Sequence, residues 1–507
     1  MSVARDLQRP DLIVAVIGAG SMGRGIAQVC AQAGHATLLF DSRQGAAAEA
    51  IAAIVKALDG QVAKGRMTAD AKRDTLGRLR VIGSLDDVKS AGIVIEAIVE
   101  DLEAKHDLVR ELEKRIAPDA VIATNTSSLS VTEIAAVCAG PARVGGLHFF
   151  NPPPLMRLVE VIGGLRGDPQ LIEALTGFVR RIGKHPIVAT DTPGFVVNHA
   201  GRAYGPEALR IVEQGIAGPR EVDLLMKEAA GFRMGPFELL DLVGADVAHA
   251  VMVSIHRQYF GEPMYQPSAL LAARVAGGLL GRKTKQGFYN YDGPPAVSAP
   301  TVAVSAQPLP ASAWVADEGG GRELAGWLKD AGVKTQLGGK PAARALCFVT
   351  PLGETAAGAI VRLKLDPART VAVDMLGGFT GRRTLMKTPL TTPEILGAAV
   401  AALSTAAQVT IINDSAGFVV QRVLAMIVNI GCRIAELRIA APGDIDTAVE
   451  LGLNYPKGPL ALGDALGPAR VLAVLDNMQA ATHDPKYRAT AWLRRRVLLG
   501  ISLLTPD

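Results

Sequence analysis

The chain has 507 residues, 49% hydrophobic and only 20% charged, which excludes a disordered tether and predicts two to four well-cored domains. Its 53 basic and 49 acidic side chains leave a formal charge of +4 spread without the long basic run that tracks a phosphate backbone, so no nucleic-acid partner is expected. Cys30, Cys138, Cys347 and Cys432 lie far apart among aliphatic or small residues, which argues against metal ligation and for reduced core thiols of a cytoplasmic protein.

The first apolar run, Leu12 to Ile17, is too short for a signal-peptide core, and no later run reaches a bilayer span, so no membrane role is expected. It reads instead as a buried parallel strand. Gly18-Ala-Gly20-Ser21-Met22-Gly23 and an Ala-rich helix from Arg24 to Gln32 follow it, which is a dinucleotide fingerprint in its proper setting. The first glycine permits the turn, the second lets backbone approach a pyrophosphate, and the third lets the helix pack on the strand. A second strand, Ala36 to Phe40, ends in Asp41, whose carboxylate suits the adenine ribose hydroxyls and favours NAD over NADP. Arg43 lies two residues on and weakens that preference.

Further strands are expected at Gly92–Glu96, Ala120–Thr124 and Arg143–Phe149, with a helical stretch from Leu102 to Arg115, the alternation of a doubly wound sheet. Ligands of such sheets bind beyond the carboxyl ends of the strands, where Asn125-Thr-Ser127-Ser128 and His148 fall. Ser127 has a plainer alternative as a helix N-cap ahead of Val131 to Val137. After His148 come Pro152-Pro-Pro154, which cannot continue a strand. With strands on either side, the turn centres near Pro154, and His148 and Glu160 become approximate cross-strand neighbours. A carboxylate on one ring nitrogen fixes the tautomer and leaves the other to take a proton, which makes the pair a candidate general base. On its own a strand-end histidine is more often structural.

Taken together, these residues resemble the L-3-hydroxyacyl-CoA dehydrogenase family. The resemblance rests on Gly18 to Ala27, Ile95-Glu-Ala-Ile-Val-Glu100 with Lys105, Thr124 to Leu129, His148 to Glu160, Asp191-Thr-Pro-Gly-Phe-Val-Val-Asn198, Gly235 to Asp241 and Gly281-Arg-Lys283 to Tyr291, in that order. It implies His148 as catalytic base, Glu160 as its partner, and Ser127 and Asn198 as hydrogen-bonding groups at the reacting oxygen. It further implies that Glu100, Lys105, Ser127, Asn151 and Lys283 border NAD and that a base near Lys64-Gly-Arg66 meets the coenzyme A phosphates. No metal is required. Lys105 has the alternative of a solvated helix charge.

Beyond the match the chain repeats itself. Asp191 to Asn198 recurs as Asp414-Ser-Ala-Gly-Phe-Val-Val-Gln421 and Gly235 to Gly244 as Gly458 to Gly467, both at a shift of 223 residues (414 − 191 and 458 − 235). A weaker echo of Pro141-Ala-Arg143 at Pro367-Ala-Arg369, shift 226, maps Ser127 to Gly353, His148 to Asp374 and Glu160 to Met386, so the second copy has lost the chemistry. The expected architecture is an α/β Rossmann-type doubly wound sheet (10–190), an all-α helical domain (191–292), a linker (293–322), a reduced α/β layer without a glycine fingerprint (323–411) and a second helical copy (412–507). We expect an intramolecular pseudo-dimer, residues 187–292 packing on 412–500, with a homodimer as a further arrangement. The length and eroded copy look similar to bacterial family members acting on 3-hydroxybutyryl-CoA or 3-hydroxyadipyl-CoA, the latter in phenylacetate-type catabolism. Arg157 and Arg202 are candidates to meet a distal substrate carboxylate. Two alternatives stand beside this: a non-catalytic NAD-binding protein on the same scaffold, and a sugar-acid dehydrogenase.

Overall fold

The apolar run after Asp11 is the centre of a parallel sheet. In the computed structural model, which describes residues 6–293, 307–377, 381–405 and 407–507, this sheet has eight strands. They are β1 (Ile13–Ile17), β2 (Ala36–Phe40), β3 (Leu79–Val81), β4 (Ile93–Glu96), β5 (Val121–Thr124), β6 (Val144–Phe149), β7 (Leu158–Gly163) and β8 (His185–Thr190). Their order is β3-β2-β1-β4-β5-β6-β7-β8, parallel throughout except at β6–β7. Burial on both faces explains why the strands read as continuous apolar runs. On one face Val14, Val16, Ile93 and Ile95 pack with Ile26 and Val29 of the helix Ser21–Gln32 and Leu175 and Phe178 of the helix Pro169–Arg181. On the other, Ala15, Val94 and Ile122 pack with Val109 and Leu112 of the helix Leu102–Glu113. Each fully buried aliphatic side chain contributes about 1.5–3 kcal/mol.

The chain forms two compact units. The first holds the residues up to His199 together with Leu437–Asn454, and the second holds Ala200–Glu436 and Tyr455–Asp507. The helix Pro442–Leu453 therefore belongs with the first sheet although it comes from the second copy. There the Thr190 N–H at the end of β8 donates to the Ile439 carbonyl at 2.9 Å. Within the second unit, the Asn413 N–H donates to the Ile216 carbonyl at 3.0 Å. Both ends of the second bond are those of the first moved by 223 residues with the copies exchanged (413 − 190 and 439 − 216).

A second sheet lies in the second unit: β9 (Ala313–Val315), β10 (Thr335–Leu337), β11 (Leu346–Val349), β12 (Thr370–Val373), β13 (Arg383–Lys387) and β14 (Val409–Asn413), ordered β10-β9-β11-β12-β13-β14. Two expectations need correction. The linker ends earlier than expected, because Ala313-Trp-Val315 is a strand whose Trp314 indole donates to the Gly338 and Gly339 carbonyls; much of that segment, 294–306, lies outside the described residues. Residues 323–410 alone are too few for a six-stranded nucleotide domain, but with β9 ahead of them the layer holds six strands, two fewer than the first sheet. No glycine fingerprint opens the layer, but the close turn is kept: a Cβ on Gly321 would lie 1.9 Å from the Ala316 carbonyl oxygen, as one on Gly23 would lie 1.8 Å from that of Gly18. At the same five-residue spacing (321 − 316 and 23 − 18) Glu318 replaces Gly20, and it is ion-paired to Arg362 at 2.7 Å.

Erosion is complete at the former site. Asp374, at the position matching His148, has Thr384 across the strand rather than Met386, because Ala372 pairs Met386 and the turn is two residues shorter. The Gln421 amide donates to Asp374 at 3.0 Å and accepts from the Gly353 N–H at 2.9 Å, closing the space by direct bonds. The helical copies meet within the second unit. Glu207, fully buried on the helix Tyr204–Glu213, accepts from Arg422 at 2.8 Å and from Tyr487 at 3.0 Å, with Lys486 at 3.4 Å. Burial pushes its carboxyl up, but Arg422 and Lys486 outweigh that and hold it below the ordinary range.

Among the described residues no single helix is long and apolar enough to cross a membrane; Pro236–Val243 and Ala245–Gln258 reach that length only as a pair bent by 99°.

Candidate active site

The nucleotide end of the site is built by the turn after β1. Gly18 sits at φ 103°, where a Cβ would meet the Ala97 carbonyl oxygen at 2.4 Å, so β4 can approach only a glycine. Nothing would lie within 4 Å of a Cβ on Gly20, which leaves its backbone open to a ligand. Gly18, Gly20, Ser21, Met22, Asp41, Ile98 and Val99 line a cavity of about 670 Å³. Asp41 is oriented in it by the Ala19 N–H at 2.7 Å and the Arg43 N–H at 2.8 Å. The Arg43 guanidinium is engaged by Glu49 at 2.6 Å. An open glycine backbone at a helix N-terminus with a fixed carboxylate at the next strand end fits a dinucleotide carrying free ribose hydroxyls.

A buried charge network lies under the adjoining loop. The Glu96 carboxylate at the end of β4 is fully buried and accepts from Lys105 Nζ at 2.7 Å, the Ile98 N–H at 2.8 Å and the Thr124 hydroxyl at 2.7 Å. Lys105 is thus no solvated helix charge: only 1% of its side chain is exposed, and its ammonium also reaches Glu100 at 3.3 Å. Glu100 Oε1 accepts from the Thr126 hydroxyl at 2.7 Å, the Ser127 N–H at 2.7 Å and the Ser128 N–H at 2.9 Å. Burial pushes the Glu100 carboxyl up, and Lys105 and these donors outweigh it, holding it below its ordinary value. The loop that presents Ser127 is therefore gathered around one carboxylate. Ser127 is not a helix N-cap; Ser130 fills that place, accepting from the Glu133 N–H at 3.2 Å.

The His148–Glu160 pair stands at the end of the β6–β7 hairpin as direct cross-strand partners. His148 Nδ1 and Glu160 Oε2 are 2.6 Å apart, with 6% and 0% of the side chains exposed. The other carboxylate oxygen accepts the Val196 and Val197 N–H groups at 3.0 and 2.9 Å. These open the short helix Val197–Ala200, whose Asn198 donates to the Ser127 carbonyl at 3.3 Å. One buried carboxylate thus orients the imidazole and the turn carrying Asn198. Phe150 and Phe195 flank the ring at centroid distances of 4.4 and 5.8 Å. Phe195 takes φ 45°, a left-handed conformation that costs about 1–3 kcal/mol in a non-glycine residue.

Ser127, Asn198, Glu100, His148 and Glu160 are thus joined by hydrogen bonds or by neighbouring residues in one unit, and Asn151 lies exposed three residues beyond His148. Lys64 and Arg66 are exposed after the helix Ala46–Ala63, and Arg157 is exposed before β7. Lys283 and Arg202 belong to the second unit, where Lys283 is paired with Asp246 at 2.6 Å. The sequence placed Glu96, Asn125 and Asp191 in its motifs without giving them a role; the Asn125 side chain accepts the Phe149 N–H at 2.9 Å, and Asp191 accepts the Val131 and Thr132 N–H groups. A charged residue closing the apolar run Gly92–Glu96 was the available signal for the first.

Residues 13–192 match the family model "3-hydroxyacyl-CoA dehydrogenase, NAD binding domain", and residues 194–291 and 417–502 each match "3-hydroxyacyl-CoA dehydrogenase, C-terminal domain". The chain is 36% identical to the 3-hydroxyadipyl-CoA dehydrogenase of Escherichia coli (strain K12), covering 96% of this chain and 97% of the relative. It is 41% identical over 285 residues to the mitochondrial hydroxyacyl-coenzyme A dehydrogenase of Homo sapiens, covering 55% of this chain and 90% of that one. A crystal structure of 3-hydroxybutyryl-CoA dehydrogenase from Escherichia coli K12 is similar with a TM-score of 0.85 at 35% identity, covering 96% of this chain and 98% of the other. The chain belongs to the 3-hydroxyacyl-CoA dehydrogenase family and is an NAD-dependent oxidoreductase.

Proposed function

We propose that the chain oxidises L-3-hydroxyadipyl-CoA or L-3-hydroxybutyryl-CoA to the 3-oxoacyl-CoA, with His148 as general base, in fatty-acid or phenylacetate-type catabolism. The observation that carries this is the buried His148–Glu160 contact of 2.6 Å beside Ser127 and Asn198. Similarity along almost the whole length to a 3-hydroxyadipyl-CoA dehydrogenase supports the substrate class. With Nδ1 engaged by Glu160, Nε2 is the nitrogen that takes the 3-hydroxyl proton, and the carboxylate offsets the charge the ring gains. Bound NAD supplies the acceptor for the hydride that leaves C3. Ser127 and Asn198 hold the reacting oxygen, so that the proton lies toward the imidazole.

Gly18, Gly20, Ser21, Met22 and Gly23 cradle the pyrophosphate and Asp41 holds the adenine ribose. Glu100, Ser127 and Asn151 border the nicotinamide end, Lys105 acting from beneath through Glu100, while Lys64 is available to the coenzyme A phosphates. The five-segment organisation and the two reciprocal bonds at Thr190 and Asn413 support an intramolecular pseudo-dimer of helical copies. Four buried free thiols suit a reducing, cytoplasmic compartment.

The test is NADH oxidation with acetoacetyl-CoA and 3-oxoadipyl-CoA by the native chain and by His148→Gln. The substitution is expected to lower kcat by about 10²–10⁴-fold, the range of a general base. The better thioester names the substrate, and native-like turnover by the variant removes His148 from the mechanism.

A further inference from the structure

We propose that the catalytically eroded second copy positions the active site of the first, through Gly452 on the helix Pro442–Leu453. This rests on the reading of His148 and Glu160 as the base pair. A Cβ on Gly452 would lie 2.9 and 3.0 Å from the two γ-methyls of Val197 and 3.0 Å from Leu158 Cδ2. These neighbours are the two segments that hold Glu160. Leu158 begins β7, two residues before Glu160, and the Val197 N–H donates to Glu160 Oε1 at 2.9 Å. Val197 is followed by Asn198, bonded to the Ser127 carbonyl. Val197 and Leu158 are each 1% exposed, and a β-branched side chain has little rotamer freedom with which to yield.

The helix is held against this edge of the sheet by the Thr190 N–H to Ile439 carbonyl bond at 2.9 Å. Its backbone at residue 452 thus forms the back wall of the turn that carries both the Glu160 donors and Asn198. Any side chain there moves Val197, and with it the carboxylate that orients His148. The eroded copy keeps a share in catalysis without touching substrate, and Gly452 is a positioning residue.

The experiment measures steady-state NADH oxidation with acetoacetyl-CoA by full-length Gly452→Ala and Gly452→Val. Gly443→Ala, on the same helix where a Cβ meets nothing within 4 Å, is the control. Alanine raises helix propensity at both positions, so propensity alone leaves activity intact. The expected result is a fall in kcat of about tenfold for Gly452→Ala and more for Gly452→Val, with KM for NADH within about twofold and Gly443→Ala native. Adding Val197→Ala to Gly452→Ala removes the two methyls and is expected to restore most of the lost kcat. A native kcat in Gly452→Ala, or a loss that Val197→Ala does not repair, overturns the proposal. Should Gly452→Val fail to fold, the alanine variant and its repair decide alone. Native-like turnover by His148→Gln would instead overturn the base assignment, so the two failures are distinguishable.

Discussion

Glu96 spends a full charge where no water reaches it, and its neighbours explain why. Lys105, Thr124 and the Ile98 N–H satisfy it, and the ammonium it holds stands 3.3 Å from the carboxylate that gathers the Ser127 loop. Glu96→Gln keeps the shape and leaves Lys105 short of its main counter-charge. A loss of about 3 kcal/mol is expected, read from urea unfolding midpoints, together with a higher KM for NADH. Asp374 is the mirror case in the eroded copy. Burial pushes its carboxyl above the ordinary range, against the Leu376 N–H, the Gln421 amide and Arg470. A raised folded-state value means that stability is fully present below the unfolded value and is lost as pH rises through the folded one. Asp374→Asn is therefore expected to flatten the decline of melting temperature with rising pH while leaving turnover unchanged. The resemblance pointed to Lys105, but its burial was illegible in the sequence because its counter-charge comes from a different element. A lysine on an amphipathic helix looks solvated until β4 is laid beside it.

The β6–β7 hairpin was legible to an approximate register. Three prolines force the reversal, the apolar runs force the strands, and a centre at Pro154 makes 148 and 160 partners, the register observed. The β1 fingerprint was equally plain, since strand, glycine spacing and the distant carboxylate agree. Its selectivity can be tested at Asp41. Asp41→Ser removes the charge opposed to a 2′-phosphate, and kcat/KM for NADH is expected to fall about tenfold, near 1.4 kcal/mol, while that for NADPH rises. A ratio of the two that does not move would remove Asp41 from cofactor choice. By contrast β9 was missed because three residues carry no periodicity, and it follows a run rich in Pro, Ala, Val and Ser. The third glycine at Gly321 went with it, because Glu318 breaks the pattern that the eye follows.

Within the second unit, residues on both sides of the 294–306 segment are bound through Glu207. Arg422 and Lys486 come from the second copy, and Glu207→Ala strands two buried cations, so a destabilisation of about 3–5 kcal/mol is expected in denaturant unfolding. Cleavage of the chain within 294–306 is expected to leave both fragments co-eluting on gel filtration; separation into two soluble halves would contradict the pseudo-dimer. The duplication itself was legible from the 223-residue shift, but which helix meets which strand was not, because packing partners leave no local pattern. The reciprocal bonds at Thr190 and Asn413 carry a consequence in mass action. An interface shared between two chains is governed by their concentration, whereas a tethered one is governed by an effective concentration set by the connecting chain. Dilution therefore cannot remove the helix Pro442–Leu453 from behind Val197, and specific activity is expected to stay constant as the enzyme is diluted.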